Sequence, residues 1–235
     1  MSPIKGFFDL NIGLQRKGDI DSFIEMAKQF GFDGFAVQGQ IGEPIETRDD
    51  GFVLLNRYNL PQNSKRGMMN KVKQYRKNAI IVTAPLTNVN LANWAAQESA
   101  IDMLTLIPPY HEHRLRKTTA KLAASNGTML EVPIAPLLTT DGMMRARILK
   151  AFRESVATAI GSGMAIILSS GATKPLGMRS PRAMQYIGQI LGMESTMTKV
   201  CVCENTVQII NRNMQKIADG YIQEGIEIVK EADDK

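Results

Sequence analysis

Seven short apolar runs, most of them followed by a stretch of helical periodicity, constrain this fold more than any other feature of the chain. The runs are Phe7–Ile12, Gly34–Val37, Phe52–Tyr58, Ala79–Val82, Ile101–Leu106, Thr128–Glu131 and Met164–Leu168. Each is too short for a core helix, so each predicts a strand. Between most of them lie amphipathic segments. Phe23, Ile24, Ala27 and Phe30 share one helical face. Leu115, Leu122 and Ala123 belong to a second, and Ile148, Leu149, Phe152, Val156 and Ile160 to a third. Gly31, Asn78, Gly127, Gly161 and Gly163 stand where these helices should end. Strand–helix alternation calls for a parallel sheet with helices outside it. The expected fold is α/β: a single TIM-barrel-like (β/α) domain of about seven parallel strands, irregular because no eighth run follows Leu191. Gln38 to Asp50 reads as a surface loop. Residues 1–213 form the barrel-like domain on this reading. Residues 214–235 form an acidic helical extension, with Ile217, Tyr221, Ile222, Ile226 and Val229 on one face.

Charge is distributed unevenly. The net charge is +5, yet Arg57 to Arg182 alone holds 18 lysines and arginines against 6 acids. The ends are acidic. The predicted helix Ser64–Lys77 carries Lys65, Arg66, Lys71, Lys73, Arg76 and Lys77 and no acid. Like charges on one helix repel unless an anion answers them, and a phosphate backbone would do so. Arg114, Arg116, Lys117 and Lys121 form a second cluster, and Arg145, Arg147, Lys150 and Arg153 a third. Aromatic residues are sparse among them, which favours folded, backbone-displaying RNA over base stacking along a single strand. A solvated helix face is the plain alternative for any one cluster. Cys201 and Cys203, one residue apart, make a poor disulfide pair and suit a reducing compartment. No stretch reaches the length of a membrane span, so a soluble cytoplasmic protein is expected.

Two places offer chemistry. Asp9, Asn11, Glu131, Ser169 and Ser170 fall at predicted strand ends, where a barrel builds its active site. Asp9 and Asn11 should point to the same side of their strand. A carboxylate pair there suits acid–base work, and also suits buried hydrogen bonding. His111-Glu112-His113 is the only histidine pair. It can supply two metal ligands, but no further histidine exists to complete a site. No metal site is expected. After the last predicted strand comes Ser169-Ser170-Gly171-Ala172, then Lys174, then Arg179-Ser180-Pro181-Arg182. Ser180 suits a helix cap and Pro181 the first turn. Two arginines oppose the dipole of that helix, so Arg179 and Arg182 should serve an external acid or a nearby carboxylate.

Phe8-Asp9-Leu10-Asn11, Ser169-Ser170-Gly171-Ala172, Arg179-Ser180-Pro181 and Asn205-Thr-Val-Gln-Ile-Ile210 occur in this order across residues 5 to 213. Together they resemble the thirty-kilodalton subunit family of archaeal and eukaryotic ribonuclease P, a barrel fold related to polymerase-and-histidinol-phosphatase domains. The resemblance implies a subunit that binds and stabilises the catalytic RNA for removal of the 5′ leader from precursor tRNA. It implies that the RNA carries the catalysis with magnesium, that this chain has no catalytic residue and binds no cofactor, and that precursor tRNA is met indirectly. It also implies a small α/β protein partner, as a dimer of heterodimers, and no membrane. Asp9, Asn11, Ser169, Ser170, Gly171, Ser180, Pro181 and Asn205 are then structural. Lys65, Arg66, Lys71, Arg76, Lys77, Arg114, Arg116, Lys117, Arg179 and Arg182 are the expected RNA contacts. The competing expectation is a metal-dependent phosphoesterase or amidohydrolase-like barrel enzyme using the strand-end acids and His111/His113.

Overall fold

The computed structural model describes residues 3–39, 41–62, 64–217, 221–223 and 226–227. The chain runs β1 (Phe8–Ile12), α1 (Ile20–Gln29), β2 (Gly34–Gln38), β3 (Ile45–Thr47), β4 (Val53–Asn59), α2 (Lys65–Tyr75), β5 (Ile81–Leu86) and α3 (Val89–Gln97). It continues through β6 (Met103–Leu106), α4 (Lys117–Asn126), β7 (Met129–Pro133), α5 (Ala135–Thr139), α6 (Gly142–Ile160) and β8 (Ile166–Ser169). Three helices follow: α7 (Pro181–Ile190), α8 (Ser195–Lys199) and α9 (Asn205–Ile217). Every one of the seven apolar runs holds a strand. The strands pair in parallel in the order β1-β2-β4-β5-β6-β7-β8, a nearly closed barrel. α1 shows why the helices lie outside: it buries Phe23, Ile24 and Ala27 against Phe35 and Phe52 of the sheet side.

Two segments depart from expectation. The stretch read as a surface loop contains β3, which pairs antiparallel with β4, Ile45 opposite Leu55 and Thr47 opposite Val53. β5 pairs with β4 only from Arg57 onward. β3 therefore covers backbone groups at the start of β4 that would otherwise be an open edge. The tail also differs. α9 continues to Ile217, but Tyr221–Gln223 (β9) and Ile226–Glu227 (β10) then pair antiparallel rather than extending a helix. The rest of the expected extension, 218–220, 224–225 and 228–235, lies outside the described residues.

The two ends of the barrel are closed differently. At the floor, where the strands begin, α9 lies across the opening. Ile209 and Ile210 join Phe8, Leu10, Ala36, Leu55, Ile81, Met103, Met129 and Ile167 in one buried cluster. Asn205 donates to the Ile166 carbonyl at 2.8 Å and Asn213 to the Ile80 carbonyl at 2.8 Å. A π-helical turn, Val200–Glu204, joins α8 to α9 and delivers Asn205 to that position. Where an eighth strand would stand, β1 meets the turn after β8 at an isolated bridge, Ile12 with Ala172, and Gly13 N–H donates to the Ala172 carbonyl at 2.9 Å.

Candidate functional site

Inward-facing positions alternate along a strand. On five consecutive strands the inward residue changes from apolar to polar two positions further on. Leu55 gives way to Arg57, Ile81 to Thr83, Met103 to Thr105, Met129 to Glu131 and Ile167 to Ser169. The barrel interior is thus apolar below and polar at the mouth. Its centre is an ion pair. Arg57 is 1% exposed and Glu131 0%. Arg57 Nη1 and Nη2 donate to Glu131 Oε1 and Oε2, both at 2.6 Å. Thr105 Oγ1 donates to Oε2 at 2.6 Å and Ser169 Oγ to Oε1 at 2.8 Å. Arg57 also donates to the Leu10 carbonyl and, through Nε, to Asn59 Oδ1, both at 2.5 Å. Burial by itself pushes the Glu131 carboxyl up, but the Arg57 charge and the hydrogen bonds from Arg57, Thr105 and Ser169 outweigh it. Glu131 is held below the usual carboxylate range and stays ionised. Both of its oxygens are occupied, so it is a poor general base. Over this network the mouth keeps a cavity of about 330 Å³, lined by Asn11, Thr83, Thr105, Tyr110 and several prolines.

Asp9 does not belong to this network. Phe8 and Leu10 face inward, so alternation turns Asp9 to the other side of β1. A register shift between Asp9 and Ile12 then breaks the alternation, and Asn11 lines the mouth cavity while Asp9 does not. The expected same-sided Asp9–Asn11 pair is thereby overturned. Asp9 Oδ1 instead accepts from the Ser170 N–H at 3.0 Å and the Asn11 N–H at 3.2 Å, across the seam that lacks a strand. Ser170 Oγ accepts from Ala172 N–H at 3.1 Å. Gly171 has φ +62°, and a Cβ there would press on Pro133 Cβ at 3.0 Å, so the turn needs glycine. Burial raises the Asp9 pKa to about 6, only partly offset by the Ser170 and Asn11 hydrogen bonds.

The sequence profile of the RNase P subunit p30 family matches residues 6–218, nearly the whole chain. The chain belongs to the RNase P subunit p30 family. Ribonuclease P protein component 3 of Methanosarcina barkeri is 25% identical over 236 residues, covering 97% of both chains. That of Methanococcus maripaludis strain C7 is 25% identical over 243 residues, covering 97% of this chain and all of the relative. A chain in the cryo-EM structure of an archaeal ribonuclease P with mature tRNA superposes with a TM-score of 0.77 at 19% identity, covering 96% of this chain and all of that one. The last likeness speaks for the fold.

The family motifs find their places. Ser180 Oγ accepts from the Ala183 N–H at 3.3 Å and caps α7, with Pro181 in its first turn. Asn205 anchors α9, as described. Among the described residues Arg179 pairs with no carboxylate: Nη1 donates to the carbonyls of Leu176 at 3.0 Å and Met178 at 2.6 Å and holds the loop before α7. Arg182 is exposed, its Nη2 3.5 Å from the Tyr186 hydroxyl.

The basic residues divide by what they touch. Lys65, Arg66, Lys77, Arg116 and Lys117 are exposed. Lys71 is half-buried, donating to Gln74 Oε1 at 3.1 Å with its ammonium over the Tyr75 ring. Arg114 pairs with Glu154. Arg76, expected among the RNA contacts, turns inward instead. Its Nη1 meets Asp102 Oδ2 at 2.5 Å, and Arg212 of α9 meets Oδ1 of the same buried carboxylate at 3.1 Å. Arg76 thus ties α2 to the floor. Lys73 is the exposed cation of that helix that the expected set omits. Lys65/Arg66, Arg116/Lys117 and Arg182 each stand at the start of the helix after β4, β6 and β8. Parallel topology puts these helix starts on the mouth side, spaced around the rim. His111 Nε2 lies 3.4 Å from Glu112. Among the described residues no group of three or more His, Cys, Asp or Glu side chains comes together. No helix among them is long and apolar enough to cross a membrane.

Sequence reasoning missed Arg57, Thr83, Thr105 and Asp102. The signal for the first three was present: a polar residue two positions after an apolar one, repeated on successive strands. In the sequence alone Arg57 reads only as the start of the basic stretch.

Proposed function

We propose that this chain is a protein subunit of ribonuclease P, binding and stabilising the catalytic RNA for removal of the 5′ leader from precursor tRNA. The observation that carries the reading is the family match over residues 6–218. The mouth supports a non-catalytic role for the isolated chain. Glu131 has both oxygens taken by Arg57 and two hydroxyls, and Asp9 faces the seam rather than the mouth cavity. The competing reading as a barrel hydrolase needs a free carboxylate at the mouth. Magnesium then belongs to the RNA catalyst, and exposed cations around the rim meet phosphates.

On the same reading the chain pairs with a small α/β protein subunit, as a dimer of heterodimers. Leu176, Tyr186 and Ile190, exposed before and along α7, are apolar or aromatic side chains of the kind a partner covers. Reconstitution tests the function. The RNA of the enzyme and its other protein subunits should cleave precursor tRNA at low magnesium only when this chain is present. Equal cleavage without it would overturn the proposal. Light scattering should show the isolated chain self-associating and the mixture with the small subunit forming a defined complex.

A further inference from the structure

We propose that the outer face of α2 and the cleft beside it bind RNA at an unstacked nucleotide, with α2 on the phosphates and the Tyr58–Tyr75 pair on the base. The inference rests on the reading of the chain as an RNA-binding subunit and names the surface and the RNA feature it takes.

α2 begins at Ser64, whose side chain accepts from the Gly67 N–H at 3.2 Å, and it buries Met68 and Val72. At about 100° per residue, Arg66, Asn70 and Lys73 fall on the opposite side. Lys77 in the next turn continues that stripe, and all four are exposed. From Arg66 to Lys77 the stripe runs roughly 16 Å at about 1.5 Å per residue. No aspartate or glutamate occurs between Asp50 and Glu98. Among the described residues no carboxylate pairs with Lys65, Arg66, Lys73 or Lys77. A row of cations of this length, without a carboxylate partner among the described residues, fits a polyanion tracking along the helix.

The second observation is aromatic and independent of charge. Tyr75, at the end of α2, stacks on Tyr58 of β4 with ring centroids 3.9 Å apart and planes 15° apart. Lys71 lies over the Tyr75 ring at 5.3 Å. The two rings wall a cleft of about 380 Å³, with Gln38, Gly39, Ile41 and Asn78 on its other sides. Flat rings beside polar side chains suit a nucleobase, which stacks on one and hydrogen-bonds to the other. In a continuous duplex every base is already stacked and paired, so the cleft selects a bulged or looped nucleotide. The structure therefore assigns α2 two tasks: general phosphate contact, and discrimination of bulged from paired RNA.

The test uses the full chain and two RNA hairpins of equal length. One carries a single bulged 2-aminopurine, the other has it paired in the stem. The wild type should bind the bulged hairpin about tenfold more tightly and quench its fluorescence, the scale expected of one base–aromatic stack. Replacing Arg66, Lys73 and Lys77 by Ala should weaken both hairpins and flatten the slope of log affinity against log salt by about 2 to 3. Tyr75→Leu should abolish the preference for the bulge and leave the paired hairpin unaffected, whereas Tyr75→Phe should keep it. A 4-thiouridine at the bulge should crosslink to Tyr58 or Tyr75 in the wild-type chain, a readout that survives misfolding of any variant. Crosslinks confined to other surfaces, no bulge preference in the wild type, or an unchanged salt slope in the folded triple variant would each overturn the proposal. Normal reconstitution alongside any of these results leaves the subunit reading standing and removes only the α2 site. Failure of reconstitution removes the subunit reading itself.

Discussion

Glu131 and Asp9 are both fully buried carboxylates within barrel strands, yet they stand in opposite electrostatic states. Glu131 faces the barrel interior and has a guanidinium and two hydroxyls around it. Asp9 faces the seam between β1 and β8, where it meets Ser170 and the Asn11 amide but no cation, and Oδ2 has no partner. The same burial therefore leaves one acid below its usual range and drives the other to about 6. What differs is the neighbour each strand supplies. β4 reaches the interior with an arginine. The seam has no strand to supply one. A barrel mouth that looks fit for acid–base chemistry has become a structural clasp on one side and a latch on the other.

The sharpest way to break the comparison is to remove the cation. Arg57→Met leaves Glu131 buried and unpaired and should cost about 3–5 kcal/mol of unfolding free energy, read by urea denaturation. Adding Glu131→Leu should recover most of that loss, since an apolar pair of similar volume often replaces a buried ion pair without penalty. A small effect of Arg57→Met would mean the mouth is less dry than the geometry shows.

Asp9 should behave differently. Asp9→Ala removes the acceptor that holds the Ser170 amide and should cost roughly 1–3 kcal/mol, with faster hydrogen exchange at Ser170. The pH dependence has a definite sign. The folded carboxyl titrates near 6 against an ordinary value of 3.8, so the folded state holds the proton more tightly. Relative to Asp9→Asn, the wild type should lose stability as pH rises from about 4 to about 6, by on the order of 2–3 kcal/mol, and stay level above that. Glu131 runs the other way: its contribution is present above its ordinary value of 4.5 and is lost as pH falls. A wild-type curve parallel to that of Asp9→Asn would show that the seam is hydrated. The smallest expected effect lies outside the barrel. Alanine at Arg66, Lys73 and Lys77 should change stability by no more than about 0.5 kcal/mol, because these side chains touch solvent. A large loss would make α2's outer face structural.

The sequence by itself determined the seven-stranded parallel barrel, because a strand or helix must bury an apolar face and the period of that face is written locally. It also determined the cap at Ser180, which depends on residues within one turn. β3 was not legible, since Ile45-Glu-Thr47 is too short to show a period and owes its strand to the uncovered start of β4. The site was legible only in part. Lys73 and Arg76 are neighbours on one basic helix, and nothing local tells them apart. Asp102, on a later strand, turns Arg76 inward and leaves Lys73 in water. Arg57 and Glu131 lie 74 residues apart and owe their pairing to barrel closure. Which charges are free to meet RNA, and which acids keep their protons, was decided by tertiary structure, because desolvation and ion pairing depend on neighbours that only the folded chain brings within reach.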